Sequence, residues 1–289
     1  FDEFHAKYNN LSKTVYPSVR SLNEANFNYD VLCIGSDQVW NYDKGYSLEP
    51  FFACFDKKGT KKISYGSSIG LSKLSPEAEL VFKKELSGFT SLSVREQQAS
   101  DLLQKLLNKD VDVVLDPTLI LNNKEWLEVA KTDMCPKEKY VLVYIVTIKP
   151  CDYVLEVARK VAKERGLKIV RICRDAYPER SGSDVEEILT AGPSDFVGLF
   201  ANAEFVVTNS FHGTVFSINF SKSFYSVIKS LHSTNSRLTS ILQKLALEDR
   251  ILPVGSPLPE ITDIDFTEPA KRLEAEREHS FEYIKKALE

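Results

Sequence analysis

The chain has 289 residues, a length that suits two α/β domains of ordinary size, and its composition of 43% hydrophobic and 27% charged residues is typical of a globular protein. The formal net charge of -4 at pH 7 gives no support to a nucleic-acid partner. The 5 cysteines form no C-x-x-C pair, which argues against a disulfide framework and a structural metal site, and no apolar run is long enough to span a bilayer. Cys33 and Cys173 lie in apolar runs, as expected of buried thiols in a reducing cytosol.

The start of the chain does not follow the usual α/β pattern. Residues 1–21 are polar and predict a helix followed by a loop, whereas an α/β domain usually begins with a strand. We therefore expect the N-terminal part of the first domain to be missing from this sequence.

Four apolar runs in the first half of the chain predict buried parallel strands. The strands are predicted at residues 29–34, 62–65, 91–94 and 111–115, with helices at 75–87 and 96–107. A polar side chain follows each strand, namely Asp37, Ser67, Arg95 and Asp116. Because the carboxyl ends of parallel strands meet at one edge of a sheet, we expect these side chains to lie at a ligand site.

Several of these residues also have a plainer explanation. Asp37 can cap the turn that follows it, and Arg95 can form a surface ion pair with Glu96. The aromatic clusters at 42–46 and 51–55 are better explained by core packing than by an aromatic wall for a sugar. The residues by themselves leave these alternatives open.

The second half of the chain repeats the alternation of strands and helices. Strands are predicted at 140–148, 167–173, 204–207 and 223–229, with helices at 152–165, 196–203 and 237–247. The charged segment 268–288 predicts a terminal helix that is a solvated strut packed along the molecule. The sequence thus predicts an α/β fold of two Rossmann-like doubly wound domains facing across a cleft. We place them at residues 1–135 and 136–265, with the terminal helix at 266–289.

The stretch from Glu204 to Phe220 is the strongest candidate for a site in the second half. A strand ends there in the polar turn 208–213, and a short apolar helix is predicted from Thr214. Free N–H groups at a helix start favour an anion, whereas the plainer explanation is that the polar residues cap the helix. His212 favours the functional explanation, because an imidazole is costly at that junction unless it is used. We expect His232 to face the same cleft.

Six motifs occur in order along the chain. They are GSDQVWN at 35–41, YGSSIG at 65–70, SVRE at 93–96, LDPTLIL at 115–121, GPSDFVGLFANAEFVVTNSFHGTVFSINF at 192–220 and NSRLTSILQKLALEDRI at 235–251. Together they resemble the polysaccharide pyruvyl transferase family. The resemblance implies a two-domain fold similar to that of GT-B glycosyltransferases. It also implies transfer of a pyruvyl group from phosphoenolpyruvate to a sugar, as a ketal across two hydroxyls, in surface polysaccharide biosynthesis.

The resemblance also implies residue roles. Arg95 matches the arginine expected to hold phosphoenolpyruvate, and His212 matches the histidine expected to act as general acid. Well-studied members carry an arginine where this chain has Ser210, so Arg237 or Lys229 has to supply the missing charge. The chemistry agrees, since a phosphate and a carboxylate are bound by guanidinium groups and helix N-termini.

We therefore predict three groups of site residues. The catalytic residues are His212, Asp37 and Asp116, of which the two aspartates are placed to orient or deprotonate the incoming hydroxyl. The donor-binding residues are Arg95, Ser210, Gly213, Arg237 and Ser67. The acceptor-binding residues are Gly35, Ser36 and Trp40.

The remaining predictions concern partners and alternatives. We expect no metal, no cofactor besides the donor substrate, and a saccharide acceptor that is lipid-linked or nucleotide-linked. The expected location is the cytoplasm, including the inner face of the membrane. The alternatives are a nucleotide-sugar glycosyltransferase of the same fold and a catalytically silent saccharide-binding homologue.

Overall fold

The computed structural model describes residues 1–56, 58–146, 151–173, 182–229 and 236–289. Within these ranges the strands are β1 (Val31–Ile34), β2 (Lys61–Ser64), β3 (Ser93–Val94), β4 (Asp112–Val113), β5 (Tyr140–Tyr144), β6 (Lys168–Ile172), β7 (Val185–Ile188), β8 (Phe205–Thr208), β9 (Ser223–Ile228) and β10 (Ile251–Pro253). The α-helices are α1 (Asp2–Tyr8), α2 (Val19–Glu24), α3 (Pro76–Leu86), α4 (Gln97–Leu107), α5 (Pro117–Ile120), α6 (Asn123–Leu127), α7 (Cys151–Arg165), α8 (Pro193–Asn202), α9 (Phe211–Asn219), α10 (Ser236–Lys244) and α11 (Thr267–Leu288). Short 3-10 helices span Tyr42–Lys44, Glu49–Phe52 and Glu248–Arg250.

The chain folds into two compact units, each built from segments that are distant in sequence. We call them the six-strand unit (Phe1–Asn10, Leu121–Ser233 and Leu242–Lys271) and the four-strand unit (Leu11–Ile120, Thr234–Ile241 and Arg272–Glu289). These bounds differ from the predicted ranges 1–135, 136–265 and 266–289, because residues 1–10 and 121–135 belong to the six-strand unit and because α10 and α11 are each divided between the units.

The six-strand unit contains one parallel sheet with the strand order β10-β9-β8-β5-β6-β7. Its central strands are apolar and buried, as expected of a parallel sheet that is covered on both faces. The chain runs outward from β5 through β6 to β7 and then returns to β8 on the other side of β5. The carboxyl ends of β5 and β8 therefore form a topological switch point, which is where open α/β sheets usually bind ligands.

The four-strand unit is built on two short parallel pairs, β1 with β2 and β3 with β4. An isolated parallel bridge between Ile63 and Ser91 places β2 next to β3. Two more bridges extend the sheet beyond the strand ends, from Asp37 to Ser67 and from Ser67 to Val94. The polar residues that follow these strands are thereby brought to one edge.

The terminal helix α11 is more deeply packed than the charged sequence predicts. Its buried residues are Pro269, Leu273, Ser280, Tyr283 and Ala287. The Tyr283 ring packs in a cluster with Ile63 and Val114, and its hydroxyl donates a 2.7 Å hydrogen bond to the Ser64 carbonyl. The prediction of a solvated strut packed along the molecule is therefore corrected in its extent of burial, since the part of α11 from Arg272 onward completes the core of the four-strand unit.

Other predictions differ in detail or lie outside the described residues. Cys33, predicted to be buried, is exposed, because in β1 only Ile34 is buried. Helix α9 begins three residues before the predicted start at Thr214, because Ser210 caps it. The predicted loops at 177–183 and 230–237 and the end of the predicted strand 140–148 fall partly outside the described residues, and His232 lies wholly outside them.

Candidate active site

Arg95 is the centre of a buried ionic network in the four-strand unit. It directly follows β3, and its side chain is only 1% exposed. One terminal nitrogen, Nη1, donates to Asp116 Oδ2 and to Ser36 Oγ (3.3 Å), while Nη2 donates to Asp37 Oδ1 at 2.8 Å. The alternative of a surface ion pair with Glu96 is thus wrong, because Arg95 is buried and pairs with the two aspartates instead.

Asp116 is the inner carboxylate of this network. Its side chain is 3% exposed, and Oδ1 accepts hydrogen bonds from the backbone N–H (3.0 Å) and the hydroxyl (2.6 Å) of Thr118. Oδ2 accepts from Ser36 Oγ at 3.2 Å as well as from Arg95. The predicted catalytic role of Asp116 is corrected on this geometry, since a buried carboxylate with both oxygens engaged orients Arg95 and does not reach a substrate.

Asp37 is the outer carboxylate of the network. Its side chain is 66% exposed, although one of its oxygens accepts the hydrogen bond from Arg95. The backbone of Asp37 has a φ of 73°, in the left-handed region that costs most residues free energy but that aspartate tolerates comparatively well. A 2.8 Å hydrogen bond from Ser68 N to the Asp37 carbonyl holds this conformation. Asp37 is therefore a carboxylate that is fixed in position and accessible to solvent.

Arg237 supplies a second guanidinium beside Asp37. It lies on α10, within the four-strand unit, and its Nη1 is 3.9 Å from Asp37 Oδ1. Its side chain is 21% exposed, so it reaches solvent, whereas Arg95 does not. Burial lowers the pKa of the Arg237 guanidinium, and the positive charge of Arg95 lowers it further. The negative charges of Glu96, Asp37 and Asp116 raise the pKa, but they do not outweigh these two effects.

Glu96 holds the loop that follows β2 and is a site residue whose role the sequence did not reveal. It is 1% exposed, and its Oε1 accepts hydrogen bonds from Ser68 Oγ (2.8 Å), Ile69 N (3.1 Å) and Gly70 N (3.1 Å). The sequence feature that could have identified Glu96 is its position directly after Arg95 in the SVRE motif. We call Arg95, Arg237, Asp37, Asp116 and Glu96 together the arginine–carboxylate cluster.

Three small residues predicted for the site surround Asp37 in different ways. Ser67 is fully buried, and its hydroxyl donates to the Gly35 carbonyl at 3.0 Å, so it fixes the loop and does not contact a donor. Gly35 is exposed beside Asp37, and a methyl group added to it would meet nothing within 4 Å. Ser36 is half-buried, with its hydroxyl bonded to Asp116 and Arg95.

Trp40 lies in the core and not at the predicted acceptor surface. Its ring is 0% exposed and packs against Phe52 and Phe89 at centroid distances of 6.2 and 6.0 Å. The indole N–H donates to the Phe51 carbonyl at 2.8 Å, so its one polar group is also satisfied internally. The acceptor-binding role predicted for Trp40 is corrected for this reason.

The turn that carries His212 lies in the six-strand unit, at the switch point between β5 and β8. Ser210 caps α9, because its buried hydroxyl accepts from Gly213 N at 3.3 Å and its own N–H donates to Thr208 Oγ1 at 3.0 Å. Gly213 is required by close packing, since an added Cβ would lie 2.4 Å from Thr208 Oγ1. The hydrogen bond between Ser210 and Gly213 thus supports, for these two residues, the plainer explanation that they cap the helix.

His212 occupies the first turn of α9, and its half-buried ring makes an edge contact with Phe211 at a centroid distance of 5.5 Å. Its neighbour Asn209 accepts a 2.9 Å hydrogen bond from Val146 N, which ties the turn to the chain that leaves β5. The turn that carries His212 is therefore fixed at the end of the sheet where a ligand is expected. Its predicted role as general acid stays a prediction.

The structure brings together Asp37, Arg95, Asp116, Arg237, Ser36 and Ser67, which were all predicted for the site, within the four-strand unit. Chemically, this arrangement can accept a proton or a hydrogen bond at Asp37 and can offer one guanidinium at Arg237. The described part of the chain contains no group of three or more His, Cys, Asp or Glu residues that could hold a metal ion. No helix in the same part is both long and apolar enough to cross a membrane.

Comparisons with known proteins identify both a family and a fold. A model of the family described as polysaccharide pyruvyl transferase matches residues 1–228. A comparison with curated proteins finds no match.

Among solved structures, UDP-GlcNAc 2-epimerase from Neisseria meningitidis bound to UDP-GlcNAc is similar, with a TM-score of 0.56 and 12% identity over 99% of this chain and 88% of that chain. A putative UDP-N-acetylglucosamine 2-epimerase from Listeria monocytogenes has a TM-score of 0.52 and 11% identity over 93% of this chain and 71% of that chain. At such identities the likeness concerns the fold alone, and it confirms the predicted α/β fold of GT-B type.

Proposed function

Because the chain belongs to the polysaccharide pyruvyl transferase family, we propose that it transfers a pyruvyl group from phosphoenolpyruvate to two hydroxyls of a saccharide. The observation that supports this reaction is the exposed Asp37 carboxylate, which Arg95 and Asp116 hold from the buried side. A fixed, accessible carboxylate suits the activation of a sugar hydroxyl.

The reaction defines what the protein groups have to do. The C2 atom of phosphoenolpyruvate gains two bonds to sugar oxygens, loses its bond to the phosphate oxygen, and its double bond to the methylene carbon becomes a single bond. Of the two protons that leave the sugar hydroxyls, one ends on the methylene carbon, which becomes a methyl group, and the other leaves with the phosphate. A base near the hydroxyls and an acid near the methylene carbon or the phosphate are therefore required.

In this proposal Asp37 is the base that accepts the hydroxyl proton, and Arg95 and Asp116 are positioning residues that fix its carboxylate. His212 is the proposed acid, a role that suits an imidazole near neutral pH. Direct donor contacts by Arg95 and Arg237 stay predictions, and the geometry favours Arg237 because its guanidinium reaches solvent.

Phosphate release and product mass test the reaction. The protein is incubated with phosphoenolpyruvate and the methyl glycosides of glucose, galactose, mannose and N-acetylglucosamine, and pyruvylated product is sought by mass spectrometry. We expect Asp37→Asn to lower kcat by about 10²–10⁴-fold, the usual contribution of a general base. Asp101→Asn is the matched control, since Asp101 is an exposed aspartate on α4 whose carboxylate contacts only Gln97 among its described hydrogen bonds. Equal activity of the Asp37 variant and the control would remove Asp37 from the mechanism.

A nucleotide-sugar glycosyltransferase is the second candidate function, because the UDP-GlcNAc-bound epimerase shares the fold. Thermal unfolding with added ligands separates the candidates, since a ligand that binds only the native state raises the melting temperature. Phosphoenolpyruvate should raise the melting temperature if the first proposal is right. An increase with UDP, GDP or their sugars, and none with phosphoenolpyruvate, would favour the second candidate. No increase with any of these ligands would favour a silent homologue.

The proposal extends to the acceptor and the place of reaction. We propose a lipid-linked or nucleotide-linked saccharide as the natural acceptor, in the assembly of a surface polysaccharide. The exposed free thiol of Cys33 suits a reducing compartment such as the cytoplasm.

A further inference from the structure

An exposed tyrosine stands beside the candidate base. Tyr46 is 44% exposed, in contrast to the fully buried Trp40, and its hydroxyl donates a 2.6 Å hydrogen bond to the carbonyl of Gln38, the residue after Asp37. Burial raises the pKa of the Tyr46 hydroxyl, and the negative charge of Asp37 raises it further, as expected of two groups that lie close together.

The Tyr46 ring is held in place at two points. Besides the hydrogen bond of its hydroxyl, its ring makes an edge contact with Phe51 at a centroid distance of 5.8 Å. Gly45, with a φ of 74° in the left-handed region, turns the chain immediately before Tyr46. A ring that is already fixed loses little conformational entropy when a ligand covers its open face.

We propose that the open face of Tyr46 is the surface on which the acceptor sugar stacks, with its hydroxyls directed to Asp37. This inference rests on the proposed function and names a residue that selects the acceptor. A pyranose ring has an apolar face of C–H groups and an equatorial rim of hydroxyls. An aromatic ring suits the face, and a neighbouring carboxylate suits the rim.

The simpler alternative is that Tyr46 only holds the segment between Gln38 and Phe51. The two roles make different demands on the side chain, because stacking needs the ring and loop fixation needs the hydroxyl. Tyr46→Ala removes both, whereas Tyr46→Phe keeps the ring and removes only the hydrogen bond.

Initial rates at varied acceptor and donor concentrations distinguish the roles. We expect Tyr46→Ala to raise the KM for the acceptor about tenfold, with the KM for phosphoenolpyruvate unchanged, and Tyr46→Phe to stay within about threefold of the parent protein. The matched control is Tyr29→Ala, since Tyr29 is a 57% exposed tyrosine at the opposite end of β1 that stacks on Phe27. Equal losses in Tyr46→Phe and Tyr46→Ala, or a changed donor KM alone, would overturn the inference.

A binding measurement without phosphoenolpyruvate separates failure of this inference from failure of the proposed function. Saturation-transfer NMR is recorded with the same four methyl glycosides on the parent protein, Tyr46→Ala and Tyr29→Ala. A signal that Tyr46→Ala loses and Tyr29→Ala keeps supports the inference even if no pyruvyl transfer occurs. Equal signals in both variants, or no signal with the parent protein, would overturn it.

Discussion

Replacing Arg95 by alanine tests the network that holds the candidate base. The substitution removes the ion pair between Arg95 and the Asp116 carboxylate, which is only 3% exposed. Breaking a buried ion pair by removing one partner costs about 3–5 kcal/mol. The second pair adds little, because the Asp37 carboxylate is 66% exposed and such pairs contribute about 0–1 kcal/mol. We therefore expect Arg95→Ala to lower the free energy of unfolding of the four-strand unit by about 3–5 kcal/mol.

The two tryptophans allow this unit to be observed separately. Trp40 is buried in the four-strand unit, and Trp126 belongs to α6 in the six-strand unit. In a Trp126→Phe background, the fluorescence change during urea unfolding reports on Trp40 alone, and the midpoint and m-value give the free energy.

Arg20→Ala is the matched control for Arg95→Ala in the same unit. The Arg20 side chain is 88% exposed and pairs with Glu24 on the same helix, so its loss should change the free energy of unfolding by less than about 0.5 kcal/mol. An effect of Arg95→Ala as small as that of the control would refute the ionic network as a stabilising feature. A large effect with unchanged phosphoenolpyruvate affinity, measured on the folded variant, would make Arg95 a positioning residue and not a donor ligand.

Three further predictions address other parts of the molecule. His212→Ala should abolish pyruvyl transfer, and retained activity would exclude His212 as the acid. Its melting temperature should stay within about 2 °C of the parent value, because the half-buried ring contacts only Phe211 among its described ring contacts. Gly198→Ala should destabilise the six-strand unit by about 3 kcal/mol or more, because the added Cβ would lie 1.8 Å from the backbone oxygen of Lys131. An unchanged midpoint of urea unfolding would contradict this close packing. Burial, with the hydrogen bond to Glu85, raises the pKa of the Cys54 thiol to about 12, and burial also raises the pKa of the Cys33 thiol. Because Cys33 is exposed and Cys54 is half-buried, iodoacetamide at pH 8 should modify Cys33 faster than Cys54, as peptide mass spectrometry would show; equal rates would contradict this.

The sequence was sufficient to predict the elements and the location of the site, because both follow from short-range patterns. Continuous apolar runs predicted buried parallel strands, and polar residues at their carboxyl ends, such as Asp37 and Arg95, had to meet at one edge. Which aspartate is accessible was not predictable, since it depends on the left-handed φ of Asp37 and on the hydrogen bonds from Thr118 to Asp116. These contacts are visible only once the loops are placed.

The aromatic residues and the terminal helix show a different limit. The sequence predicted Trp40 at the acceptor surface and favoured core packing for the cluster that contains Tyr46, whereas the path of the chain through Tyr42–Lys44 and Glu49–Phe52 buries the first and exposes the second. In α11 the buried stripe of Leu273, Ser280, Tyr283 and Ala287 is present in the sequence at helical spacing. The many charges on its other faces concealed that signal.

The charges of the arginine–carboxylate cluster bear on which substrate it serves. Two guanidinium groups face three carboxylates, so the cluster carries an excess of one negative charge when all five groups are ionised. A dianion placed there would add to this excess, whereas a proton taken up by Asp37 would cancel it. The cluster is thus better suited to accept a hydroxyl proton than to bind the phosphate and carboxylate of the donor. If Asp37 is the base, as proposed, Arg237 is the guanidinium of the cluster that reaches solvent and can contact the donor. The rest of the positive charge that the donor requires then has to come from groups outside the cluster.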